Sequence, residues 1–184
     1  MKRLLLAGGW ICTWTILALA EPTIGQSYRL SLSDVDGNDL STADGRFNVI
    51  VLSSKANSDK ARIVGDRIPD FCLANPNYRM VTVVVFDQNH GPTVRAILRA
   101  AIRHRVASEA QRLQKRYEEH QISRDARHDV FAVADFDGAI AAKLELKPDV
   151  GLFHVFVFGK NGELLKQWSD VPSEDELATA LKQN

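Results

Sequence analysis

Cysteine is scarce in this chain, with only Cys12 and Cys72 in 184 residues, so a small disulfide-stapled scaffold is excluded. There is no charge bias either. The 23 Lys and Arg residues stand against 23 Asp and Glu, which offers no bulk attraction to nucleic acid. Internal repeats, low-complexity tracts and linkers are missing. The five histidines, His90, His104, His120, His128 and His154, show no His-x-x-x-His or Cys/His spacing of a zinc site, and no metal is expected. A Gly-x-Ser-x-Gly elbow, a phosphate loop and a dinucleotide fingerprint are all absent, and no cofactor is expected. What is present is enough apolar mass for one globular domain, 45% of residues, which excludes disorder.

The first twenty residues read as an address. Met1-Lys2-Arg3 is a positive start, Leu4 to Leu19 is an uncharged apolar run, and Ala18-Leu19-Ala20 supplies the small residues of a signal-peptidase site. The expected organisation is therefore a signal peptide over 1–20 and one domain over 21–184, in a periplasmic or secreted protein. Retention of the run as an anchor is the alternative, since about 20 apolar residues span a bilayer. Trp10 and Ile11 precede Cys12 where a lipobox wants small residues. Cleavage leaves 21 basic against 23 acidic residues, no second membrane span, and Cys72 without a partner in its own chain.

Along the mature chain, Tyr28 to Leu32 alternates before the turn-forming Asp34-Val35-Asp36-Gly37-Asn38, which predicts a hairpin. Phe47 to Leu52 and Met80 to Phe86 are nearly continuous apolar runs, as strands covered on both faces require. Between them Asp59 to Leu73 predicts a helix, capped by Asn57 or Ser58 and interrupted near Pro69. A long helix follows from Pro92 to about His120, then a strand Val130 to Ala134 and a short helix Ala139 to Leu146. Phe153 to Phe158 and Leu164 to Trp168 flank Gly159-Lys160-Asn161-Gly162 as a hairpin, and Ser173 caps a last helix through Leu177 and Leu181. This order implies a mixed central sheet with helices on both faces.

The order of elements, with Tyr28 to Gly37 before the first central strand, Phe131 to Leu146 in the middle and Phe153 to Leu181 at the close, resembles the redoxin, TlpA-like branch of the thioredoxin-like superfamily. The resemblance implies a three-layer α/β/α sandwich with a mixed central sheet, an N-terminal β-hairpin and a long helix after the second central strand. It also implies a Cys-x-x-Cys at the start of the first helix, where the helix N-terminus stabilises a thiolate. Here that segment is Ser53 to Lys60, and Asn57 and Lys60 stand about where the cysteines would be. A cis-proline expected before the penultimate strand is replaced by about Phe153. In lacking both features the chain is similar to the YtfJ-like periplasmic proteins.

Two classes of function remain open. In the first, the chain is not an enzyme but a binding or accessory protein for a periplasmic or extracellular protein partner. Its surface would be the degenerate rim of Ser53, Ser54, Lys55, Asn57, Lys60 and Phe153. In the second, it is a one-cysteine redoxin, peroxiredoxin-like antioxidant or thiol-disulfide oxidoreductase using Cys72. That residue reads equally as a packed core thiol on the apolar side of the first helix. Arg95, Arg99 and Arg103 share a helix face, which is either solvated or a dock for an anionic partner. Asp135-Phe136-Asp137-Gly138 reads as a turn rather than a phosphatase nucleophile motif. In Asp34 to Gly45 the glycine is misplaced and the twelfth-position glutamate missing for a calcium loop.

Overall fold

The computed structural model describes residues 22–182; the leader expected over Met1–Ala20 lies outside them. A hairpin of β1 (Ser31–Ser33) and β2 (Asp39–Ser41) precedes five strands, β3 (Phe47–Ser54), β4 (Tyr78–Val85), β5 (Phe131–Asp135), β6 (Phe153–Phe158) and β7 (Leu164–Trp168). These five form one sheet in the order β5-β4-β3-β6-β7, parallel from β5 to β3 and antiparallel through β6 and β7. Every residue of the central β3 is buried, which explains its nearly continuous apolar sequence.

The two parallel connections step the same way across the sheet. Right-handed crossover therefore places their helices, α1 (Ser58–Asp66) and α2 (Pro92–Glu119), on one face. Val64 of α1 packs with Val49, Val51, Val155 and Val157, and Leu177 and Leu181 of α4 (Glu174–Lys182) complete that cluster. Ile102 and Val106 of α2 pack on Ala132, Val84 and Ala134 of the same face. The opposite face, including Ile50, Leu52, Val83, Phe156 and Phe158, is covered by the hairpin leucines and by α3 (Ala139–Lys143) with Leu144. The architecture is thus the expected three-layer α/β/α arrangement, with the hairpin sharing the thinner layer.

Local chemistry fixes the connections. Asp34 Oδ1 accepts from the Asp36 and Asn38 amides, closing the β1–β2 turn, and the Val35 amide donates to Ala132 of β5, so the turn covers that edge. Arg79 ties the hairpin to the sheet: its buried guanidinium reaches Asn48 Oδ1 at 2.9 and 2.6 Å, Asp44 Oδ2 at 2.9 Å and the Ser41 carbonyl at 2.5 Å. Asp135 is buried and accepts from the Ile140 and Ala141 amides, which starts α3 and makes this aspartate a cap. Ser173 and Glu176 exchange hydrogen bonds as a capping box on α4. Gly162 holds φ +79°, and a Cβ there would lie 3.0 Å from the Tyr28 carbonyl. The Gly159–Gly162 turn therefore needs its glycine.

Several boundaries differ from the sequence expectation. The first helix ends at Asp66, not Leu73. The chain leaves the helix at Arg67, two residues before Pro69, and re-forms only a single 3-10 turn over Asp70–Cys72. Cys72 therefore sits on that turn and not on the helix. The first strand is Ser31–Ser33 rather than Tyr28 to Leu32, because the Tyr28 amide and carbonyl are used by Gly162 and Thr42. The short helix stops at Lys143 and the strand before it runs to Asp135. Pro92–Glu119 matches the expected long helix. At 28 residues it is about 42 Å long, against about 26 Å for an eight-residue strand, so it outruns the sheet.

Candidate functional site

The rim proposed at the β3–α1 junction is divided by the structure. Ser53 is buried and its hydroxyl donates to the Ser54 carbonyl at 2.9 Å. Ser54 donates through Oγ to the Val150 carbonyl at 2.6 Å and through its amide to the Leu152 carbonyl at 2.9 Å. Asn57 stands at the N-cap position of α1 but its side chain makes no capping hydrogen bond; its Nδ2 instead donates to the Gly151 carbonyl at 3.0 Å. The end of β3 is thereby stitched to 150–152, the segment entering β6. Neither serine hydroxyl has a base to accept its proton, so neither is an activated nucleophile.

Lys60 and Phe153 lie on the other side of this stitch. Phe153 pairs in register with Ser53. The Lys60 ammonium sits 5.4 Å from the Phe153 ring centroid and 2.9 Å from Asp170 Oδ1. That lysine holds the Asp170 carboxyl below its ordinary range. No cis peptide bond occurs among the described residues, including the one before Pro148.

Cys72 is 8% exposed and packs in the cluster with Ala61, Val64 and Leu181. It follows the C-terminal end of α1, whereas Ser53 and Ser54 precede its start, so thiol and rim are at opposite ends of the sheet. Burial pushes the thiol from an ordinary 9.0 up to about 12, against a smaller opposing pull from Arg116. Burial therefore disfavours the thiolate, which is the nucleophilic form.

Three arginines of α2, Arg95, Arg99 and Arg103, contact other parts of the molecule. Arg95 forks onto Asp137, donates to the His90 carbonyl, and lies over Phe136 with Arg99. That fork holds Asp137 low. Arg103 donates to the Val35 carbonyl and stands 3.6 Å from Asp36, which also pairs with Arg127. Arg95 and Arg103 thus tie α2 to the β5–α3 turn and the hairpin, while Arg99 and Arg103 stay exposed on that face.

Sequence reasoning missed a cleft of about 750 Å³ between α1 and α2. Its floor is β4, whose residues Tyr78, Met80, Thr82 and Val84 on this face are half-buried although the strand lies inside the sheet. The facing walls carry small side chains, Ala61 and Gly65 on α1 and Ala101 and Ser108 on α2. At the far end Arg112 grips Asp66 with two 2.9 Å bonds, and Arg116 bonds the Ile68 carbonyl and Asp70. Ser53, Ser54 and Lys55 line the near end, and Cys72 contributes to the wall. The one local signal was Thr82, a polar residue within an otherwise apolar strand. Among the described residues no group of three His, Cys, Asp or Glu side chains is placed to hold a metal.

No protein-family model matches the chain, and no curated protein matches it. Solved structures do. The exposed lipoprotein thioredoxin Etrx1 of Streptococcus pneumoniae aligns with a TM-score of 0.52 at 15% identity, over 85% of this chain and 99% of that one. The C-terminal domain of a Bacteroides thetaiotaomicron protein described as a thiol-disulfide oxidoreductase gives 0.54 at 11% identity, over 90% and 100%. A DsbF homologue of Corynebacterium diphtheriae gives 0.51 at 10% identity, over 96% and 100%. At these identities the shared property is the fold, and the chain has the thioredoxin-like fold.

Proposed function

We propose that this protein is exported and works by binding a partner rather than by thiol chemistry. The observation that carries the reading is Cys72, the one cysteine beyond the leader, held protonated in the core at the end of the sheet away from the β3–α1 junction. At that junction, where the resemblance places a dithiol, Asn57 and Lys60 are committed to the Gly151 carbonyl and Asp170. The serines there donate to backbone carbonyls. Fold alone does not require catalysis. Export rests on the charged start, apolar run and Ala18-Leu19-Ala20 of the leader. It is supported by the likeness to a thioredoxin described as an exposed lipoprotein.

The test is the alkylation rate of Cys72 by iodoacetamide from pH 6 to 10, folded and in denaturant. The expected result is a folded rate at least about 100-fold below the denatured one at neutral pH, with no midpoint in the measured range. A thiol that reacts faster when folded, with a midpoint below about 8.5, would replace this reading with the one-cysteine redoxin.

A further inference from the structure

We infer that the α1–α2 cleft is a binding site for a single-chain amphipathic carboxylate of the long-chain fatty-acid class. This goes beyond the binding reading above and does not depend on the state of Cys72. The volume, about 750 Å³, falls within the 300–1,000 Å³ usual for small-ligand sites. The floor is β4, whose Met80, Thr82 and Val84 on this face stay half-buried although the strand lies inside the sheet. Small residues on both walls keep the space open. A flexible apolar chain recovers the burial that this inner strand lacks.

Charge selects the head group. The cleft walls at α1 and the middle of α2 carry Lys55, Arg62, Arg105 and Arg112 against Asp59, Asp66 and Glu109. Arg62 lies within ion-pair distance of Asp59 and Asp66, and Arg112 of Asp66 and Glu109. Lys55, next to Ser53 and Ser54, and Arg105, farther along the wall on α2, have no ion pair among the described residues, so the lining keeps uncompensated positive charge. The far end is strapped by Arg112–Asp66 and Arg116–Asp70. An apolar lip continues outward from the cleft: Leu98 and Ala101 line it, and on the same stretch of α2 Val94 and Ile97 are exposed, Ile97 to 64%. A tail lying on β4 with its carboxylate toward Lys55 and Arg105 satisfies both the apolar floor and the uncompensated charge.

The experiment titrates the purified protein with dodecanoate below its micellar concentration by calorimetry, with dodecanol and dodecyltrimethylammonium as controls. One-to-one binding of dodecanoate is expected, at least about tenfold tighter than either control. Arg105→Gln should weaken dodecanoate by roughly tenfold while leaving dodecanol unchanged. Ala101→Trp, which fills the cleft from an exposed helical position, should abolish binding in a protein whose circular dichroism and Tm match the parent. The titration reads cleft binding and the alkylation rate reads the thiol, so a reactive Cys72 with dodecanoate binding intact would overturn the proposed function and leave this inference standing. Equal affinity for the cationic and anionic chains would overturn the assignment, as would binding that survives Ala101→Trp. So would a concentration-dependent dimer that leaves no dodecanoate site, because a second copy would then be the occupant.

Discussion

Raising the pH should destabilise this protein through Cys72, and the size of the effect follows from the thiol's surroundings. Burial lifts its pKa to about 12 in the folded chain from an ordinary 9.0. A group whose folded pKa is raised contributes stability fully present below the unfolded pKa and lost as pH rises toward the folded one. With each unit of displacement equal to about 1.4 kcal/mol, the loss is negligible at pH 7, about 1.4 kcal/mol at pH 10, and about 4 kcal/mol at its limit near pH 12. Tyr117 is raised to about 12 by burial and by its hydrogen bond to Asp129. Its loss begins only above the ordinary tyrosine value near 10, so pH 8 to 10 isolates the thiol. Urea unfolding of the parent and Cys72→Ala, followed by Trp168 fluorescence in reductant, measures the difference. The alanine variant should start about 1–2 kcal/mol less stable, with the gap narrowing by about 1.4 kcal/mol between pH 7 and 10. A gap independent of pH would refute the buried-thiol argument. A gap that widens with pH would mean a stabilised thiolate, the opposite sign and the mark of a reactive cysteine.

Other perturbations test the frame that presents the site. Arg79→Met removes the guanidinium from Asn48 Oδ1, Asp44 and the Ser41 carbonyl. It should cost about 3 kcal/mol in urea unfolding, because buried acceptors lose their donor, whereas Asp44→Asn, at a more exposed partner, should cost under about 1 kcal/mol. Asp135→Ala deletes the cap on α3 and should lower stability by about 1–2 kcal/mol; a phosphatase assay on the same variant and its parent should show no activity in either. Ser54→Ala with Asn57→Ala unpicks the side-chain stitch to 150–152, and hydrogen exchange at the backbone amide of position 54, which donates to the Leu152 carbonyl, should accelerate by roughly fivefold to tenfold, the equivalent of about 1 kcal/mol. Glu176 is held low by the Ser173 amide first and its hydroxyl second. Its contribution is present above the unfolded carboxyl value of about 4.3 and lost as pH falls through the folded one. Glu176→Gln should therefore flatten the fall in stability between pH 5 and 3.

The layers were legible because their signals are local and repeated. Phe47 to Leu52 could only be a strand covered on both sides, and the three- and four-residue spacing from Pro92 to His120 marked the long helix to within a residue of its end. Pro69 announced a break, but the position of the break depended on Arg67 leaving the helix two residues earlier, which moved Cys72 onto a separate turn. The rim was located as a segment but not as a surface. Whether Ser54 and Asn57 point outward depends on 150–152, nearly a hundred residues away. Arg95 and Arg103 looked like a solvated or docking face because sequence spacing shows which residues share a helix side and not what that side meets, here Asp137 and the Val35 carbonyl. The cleft was illegible for a related reason: it is the gap between two helices, set by small residues on both walls and the ion pairs at one end.

The central claim is that no thiol chemistry is carried out by this thioredoxin-like fold. Its most direct test is turnover by the purified protein, with dithiothreitol or glutathione as reductant and insulin disulfides or hydrogen peroxide as oxidant, beside Cys72→Ala. The account predicts rates equal to the reagents alone for both proteins and both oxidants. Protein-dependent turnover that disappears in Cys72→Ala would contradict it.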